Sequence, residues 1–398
     1  MTYRRIALGP VTALAVAATL AMPATAAWAG TDPGTPARDG AGHSRTELQR
    51  GLDAVVREDG VVGAEATAVD GRRREYVRSG AAELGTDRPV PRQGYFRMGS
   101  NTKTFVSTVV LQLAAEGRLR LDDTVDRWLP GVVAGNGHDG GRITVRQLLQ
   151  HTSGLPDYAA ELPVLDEAAF QRHRFDHHEP RELVDLALRE RPLFEPGKGW
   201  SYSNTGYILA GMIIQKATGH HWSDEVRTRI IEPLGLKHTF SPRERTGLPV
   251  PHAKGYHQFK EGGRLVDSTE MNMSWGSSAG DLITTAPDLT RFWRALLGGE
   301  LLEPRQMKQM LRTVPAPSEG DTRVRRMGLG IFWTQLDCGG GYWGHGGTTL
   351  GHLNANGFLG KGDKGALVMR STNRFADDRD QRTDQLLDDT LCAMKRRS

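Results

Sequence analysis

The chain has 398 residues, 38% of them hydrophobic and 25% charged, the make-up of a soluble globular protein of one large domain or two intimate ones. Its net charge of +4 includes Arg4 and Arg5, which read as part of a leader, so the remainder is nearly neutral. That balance gives no ground for a nucleic-acid partner, and the short runs Arg72-Arg73-Arg74 and Lys395-Arg396-Arg397 read as solvated surface.

Residues 1–29 read as a secretory signal peptide: two arginines, an apolar stretch from Ile6 to Met22, and the small-x-small site Ala27-Trp28-Ala29 before Gly30. No later stretch is apolar enough to span a bilayer, so a secreted protein without a membrane anchor is expected. Residues 30–45 hold Pro, Gly, Thr and Ala without an apolar period and predict a flexible linker. A helix is predicted over Thr46–Glu58, with Leu48, Leu52, Val55 and Val56 on one stripe. Strands are predicted over Val61–Val69 and Arg74–Arg78, joined at Asp70-Gly71, because glycine tolerates the positive φ of a tight hairpin. A third strand, Gly94–Met98, leads into Ser100 and a wide apolar helix ending at Gly117.

The middle third loses its strand signals, and helices are predicted near Val145–Gln150, Pro180–Arg189, Thr205–Thr218 and Trp222–Ile231. Helices near Pro287–Leu297 and Glu303–Thr313 then precede strands near Gly328–Thr334, Tyr342–Gly344, Asn354–Leu359 and Ala366–Arg370, and a last helix over Thr383–Lys395. The expected fold is α/β of the α+β kind, an antiparallel β-sheet flanked by the N- and C-terminal helices plus an inserted all-helical subdomain. Residues 46–118 and 275–398 would form the sheet domain and 119–274 the helical one. Cys338 and Cys392 are the only cysteines, and in an exported chain an isolated pair is expected to be bridged, which chain entropy values at about 4 kcal/mol.

Three short motifs carry the chemistry. Ser100 and Lys103, at i and i+3, share a helix face. A serine hydroxyl needs a base, and a desolvated lysine one turn inward supplies one. Tyr202 and Asn204 offer a proton relay and an amide that orients the lysine and a substrate. In that role a cation would hold the Tyr202 phenol partly ionised. His345-Gly346-Gly347-Thr348 reads as a strand edge that a substrate backbone can approach, with Thr348 N–H available to an oxyanion and His345 placed to donate toward the tyrosine.

In order and spacing these motifs resemble the serine penicillin-recognising hydrolases, the class C β-lactamases and more closely the secreted D-alanyl-D-alanine carboxypeptidases. Leu149-Gln150-His151-Thr152-Ser153-Gly154-Leu155, Pro196-Gly197, Ser274-Trp275 and Ser278-Ala279-Gly280 extend the likeness over about Thr46 to Cys392. The resemblance implies a β-lactamase/transpeptidase-like fold and an acyl-enzyme formed on Ser100, with Lys103 and Tyr202 managing the proton. It further implies an oxyanion hole from Ser100 and Thr348, Trp275 as a wall of the cleft, and a Cys338–Cys392 bridge. The expected partners are a small peptide or muropeptide substrate and β-lactams as covalent ligands, with no cofactor or metal and a monomeric chain. One position departs from the pattern: where the carboxypeptidases hold an arginine for the substrate carboxylate, six residues before the first cysteine, this chain has Phe332, with Arg325 and Arg326 in the preceding loop.

Two rival readings come from the residues. Gly276-Ser277-Ser278-Ala279-Gly280 matches a nucleophile elbow but follows a polar stretch rather than an apolar strand. His173 and His177 would share a metal only if both lay on one helix.

Overall fold

A computed structural model of the chain describes residues 40–164, 166–317, 323–374 and 380–397. The expected signal peptide, and the linker up to residue 39, lie outside the described residues. Helix α1 (Gly40–Asp59) begins ahead of the expected Thr46, so the end of the expected linker is helical. The last proline lies upstream, at Pro36, and nothing in the segment stops the helix from extending to Gly40.

Strands β1 (Gly63–Asp70) and β2 (Arg73–Gly80) pair in register, with Asp70 opposite Arg73. Gly71 and Arg72 thus form a two-residue loop, with Gly71 at φ +61°. β1 then pairs with Lys364–Arg370, which pairs with His352–Leu359. The sheet continues through Gly341–Gly344, Phe332–Gln335 and Arg325–Met327 to Val314–Pro315, every pair antiparallel.

Alternation along the strands decides what covers each face. Ala64, Ala66, Ala366 and Val368 pack with Leu48, Leu52 and Val55 of α1 and Leu387 and Leu391 of the C-terminal helix Asp380–Arg396. Val69, Leu367 and Met369 point the other way, into a larger core with Phe105, Phe292 and Trp293. That core also takes in Leu148, Tyr207 and Val226, so one apolar interior runs through both the sheet-forming and the helical segments. Helix α2 (Thr102–Ala115) crosses its centre and is buried on every side from Thr102 to Leu111.

Three expectations need correction. The third strand, β3 (Phe96–Arg97), pairs with Ile283–Thr284 and stands outside the large sheet. The strand expected from Gly328 starts at Phe332, because Gly330 at φ +71° closes a turn in which Gly328 N donates to Ile331 O. The middle segment is not wholly helical: Ala134–Gly135 pairs with His138–Asp139 around a turn in which Gly135, Asn136 and Gly137 all have positive φ. Tyr256–His257 likewise pairs with Val266–Asp267. Such two-residue ladders are too short to leave a period in the sequence.

Cys338 and Cys392 are bridged, across 54 residues of chain, which ties the loop after Phe332–Gln335 to the C-terminal helix. Among the described residues no helix is long and apolar enough to cross a membrane. Replacing both cysteines by serine is expected to lower the unfolding free energy by about 2–4 kcal/mol, read as a drop in the denaturant midpoint; an unchanged midpoint would show that the bridge adds no stability.

Candidate active site

Ser100 lies in a 3₁₀ turn, Gly99–Asn101, at the head of α2. Two glycines bring a strand edge against that turn. A Cβ on Gly347 would sit 1.9 Å from Met98 O, and one on Gly99 would sit 2.8 Å from the backbone N and O of Thr348. Gly99 also has φ +54°, a conformation that suits glycine. The strand Gly347–Thr349 is thus pressed onto the turn that holds Ser100.

Buried amides lock this contact. Asn101 Nδ2 donates to Asn354 Oδ1 at 2.6 Å, and Asn356 Nδ2 donates to Asn101 Oδ1 at 2.8 Å. Asn354 Nδ2 also reaches Met98 O and Gly347 O, and Asn356 Nδ2 reaches His345 O. Asn354 and Asn356 alternate with Ala355 on their strand, so both point at the turn.

Lys103 is fully buried beside Ser100. Its Nζ lies 2.7 Å from Asn204 Oδ1, 2.7 Å from Ala279 O and 3.0 Å from Ser100 Oγ. The Ala279 carbonyl can only accept. The Asn204 amide presents its oxygen because its Nδ2 donates to Asp157 Oδ2 at 2.8 Å. A neutral amine therefore spends two N–H groups on these acceptors and turns its lone pair to the Ser100 hydroxyl. Burial lowers the Lys103 ammonium to about 7, outweighing the opposite pull of the Asp157 charge.

Tyr202 stands beside Ser100 in the cleft wall, close enough for the Ser100 side chain to act on its phenol. Burial pushes its phenol well above the ordinary value, so it is protonated at neutral pH. The expected partial ionisation is not found, because desolvation outweighs the nearby cations. His151, at φ +60°, stacks on the Tyr202 ring at 4.3 Å between centroids. Its Nδ1 accepts from Ser203 N, pinning the peptide between Tyr202 and Asn204.

His345 does not donate to the tyrosine. Its Nδ1–H donates to Gly346 O at 2.7 Å, and burial lowers the imidazole to about 3. The neutral ring then carries only a lone pair on Nε2. Trp275 is half-buried against the main core rather than among the walls of the cleft, and its carbonyl accepts from Tyr158 Oη. The walls of that cleft, of about 620 Å³, include Trp200, Tyr202, Phe332 and Tyr342, with Ser100, Arg325, Thr348 and Gly347. A larger groove of about 830 Å³ between α1, the C-terminal helix and the β1–β2 hairpin holds none of these reactive groups.

Ser278 is buried and donates to Tyr207 O, so the elbow-like motif serves the site only through the Ala279 carbonyl. His173 ends its helix and contacts Asp176, while His177 lies beyond it beside Glu179 and Glu244. Sequence reasoning missed Asp157, His151 as a stacking partner, and the Asn101–Asn354–Asn356 lock. The one signal for the lock was a polar residue at alternate positions of an otherwise apolar strand.

Residues 48–391 match the profile of the family described as Beta-lactamase. Penicillin-binding protein 4* of Bacillus subtilis is 38% identical over 40% of this chain, which spans only 33% of that protein's length. Esterase EstB of Burkholderia gladioli is 29% identical, over 72% of this chain and 78% of its own. A D-stereospecific amidohydrolase from Streptomyces superposes with a TM-score of 0.80 at 39% identity, covering 86% of this chain and 98% of its own.

Two outcomes follow from the geometry. Below about pH 7 Lys103 gains a proton and loses its lone pair, so the acylation rate should fall about tenfold per pH unit there and level off above; a rate flat from pH 5 to 9 would contradict this. Gly347→Ala should cut acylation about 100-fold or more, since its Cβ would displace the strand edge from Met98 O, whereas near-normal acylation would show that the close approach is dispensable.

Proposed function

The chain belongs to the Beta-lactamase family, a hydrolase fold shared with penicillin-binding proteins and esterases, and on that footing we propose that it cleaves amide bonds after D-residues through an acyl-enzyme on Ser100. The observation that carries this reading is the buried Lys103 Nζ, held by two acceptor oxygens and 3.0 Å from Ser100 Oγ. Lys103 takes the hydroxyl proton as Oγ bonds to the substrate carbonyl carbon. The oxyanion falls to the N–H groups of Ser100 and Thr348. Tyr202, a protonated phenol beside the Ser100 side chain, passes a proton to the departing amine and is reprotonated from Lys103. Water then attacks the ester carbonyl carbon as Lys103 takes its proton; the bond to Oγ breaks, Lys103 returns that proton to Oγ, and the acid leaves with Ser100 and the neutral amine restored.

D-Alanyl-D-alanine-type peptides are the substrates of first choice, as for a carboxypeptidase, with β-lactams as covalent ligands. The likeness to a D-stereospecific amidohydrolase supports the D-configuration. A second reading, an esterase or D-amino-acid amidase with uncharged leaving groups, draws support from Phe332 and from the likeness to EstB. Export is supported by the leader motif and the disulfide, and the proposed chemistry needs one chain and no cofactor.

Side-by-side turnover of a D-Ala-D-Ala peptide, its L-L counterpart, a D-aminoacyl amide and a short-chain ester tests the proposal. D-peptide cleavage with no L-peptide cleavage is expected; ester cleavage without any D-peptide or D-amide cleavage would refute it. Tyr202→Phe should lower amide turnover by roughly 10²–10⁴ and ester turnover less, because an alkoxide leaves with less help than an amine; equal losses would remove Tyr202 from leaving-group protonation.

A further inference from the structure

We propose that His151 is a positioning residue, which holds the Tyr202 phenol where it can protonate the leaving amine and does so from behind the cleft wall. This rests on the acyl-enzyme reading above and names what aims its proton donor.

Two hydrogen bonds and one ring contact tie His151 to the segment that carries Tyr202. The His151 carbonyl accepts from Ser201 N at 3.1 Å, and its side-chain Nδ1 accepts from Ser203 N at 3.1 Å. The residues before and after Tyr202 are thus bonded to one partner. Between them the imidazole stacks on the Tyr202 ring, 4.3 Å between centroids and 28° from parallel. Lys103 Nζ lies 5.0 Å from the centroid of the same ring. A phenol ring fixed in plane and height delivers its hydroxyl to one point, and a misplacement of about 1 Å in such a group can cost about 10²-fold in rate.

His151 is an unusual occupant of its position. Its φ of +60° is a conformation that glycine or asparagine takes with less strain. Because Nδ1 is the acceptor, the single N–H of the neutral ring is on Nε2. That N–H is buried and has no partner among the described residues. Phenylalanine would fill the same space without an unmade bond, and glycine would relieve the backbone. Histidine meets neither need; it supplies Tyr202 and Ser203 with a flat face and an acceptor together. Burial, and then the Lys103 charge, holds the imidazole well below its ordinary value, which keeps Nδ1 able to accept. Among the described residues Tyr202 lines the cleft and His151 does not, so His151 acts on the reaction through the tyrosine.

The test follows acylation by a D-aminoacyl amide and by the matching nitrophenyl ester, whose phenolate leaves without a proton. His151→Asn keeps an acceptor where Nδ1 stands and suits the left-handed backbone, but removes the ring. It should slow acylation by the amide about 10- to 100-fold and by the ester no more than about threefold. In a Tyr202→Phe background the same substitution should cost the amide less than about twofold, because the hydroxyl that it aims is gone. His151→Phe, which keeps a ring but offers Ser203 N no acceptor, should show the same bias toward the ester. Equal losses on amide and ester in both His151 variants, or losses that multiply in the double variant, overturn the inference. Tyr202→Phe alone separates it from the reading beneath. If that variant slows amide and ester alike, the relay fails and this inference goes with it; if it spares the ester and His151→Asn does not, only this inference fails. An amide left uncleaved while the ester still acylates Ser100 removes the amide-cleaving reading and this inference together.

Discussion

A primary amine sealed inside the protein between two oxygens that can only accept is the constraint on which this site depends. Two of its bonds must be donated, and what remains is directed at a hydroxyl 3.0 Å away. Protonating that amine would place an ammonium in the core with little solvation, and burial resists it. The chemistry of the serine is thus a consequence of packing: α2 is buried all round from Thr102 to Leu111, and the Lys103 side chain is buried with it.

The remainder of the fold holds three distant stretches against this amine. The Asn204 carbonyl is aimed by Asp157, the Ala279 carbonyl arrives from a short turn, and the strand edge is fastened by paired asparagines. Each stretch belongs to a different part of the chain, and all meet where the large sheet abuts the central helix. Gly347 and Gly99 matter for the same reason, since any side chain would hold the strand and the turn apart.

Much of this was legible in the sequence. Ser100, Lys103, Tyr202, Asn204 and the His345–Thr348 run could be read as one site because their order matches a required division of labour. Long strands and helices were legible from period, as at Ala366–Arg370, where apolar residues face both sides. The illegible parts depend on contacts rather than local pattern. Nothing near Asp157 says that it orients an amide 47 residues onward. The role expected for His345 fails because its own neighbour, the Gly346 carbonyl, claims the N–H. Trp275 read as a cleft wall, yet only packing determines that it sits against the core. The two-residue ladders were missed because pairing, not composition, defines them.

The account stands on the charge state of one amine. Titration of the lysine side chains by nuclear magnetic resonance, with Lys103→Met used to assign the signal, reads it directly. The account predicts that the Lys103 resonance shifts with a midpoint of about 7 while exposed lysines stay protonated past pH 9. A Lys103 signal that titrates with the exposed lysines, near the ordinary value, would contradict it.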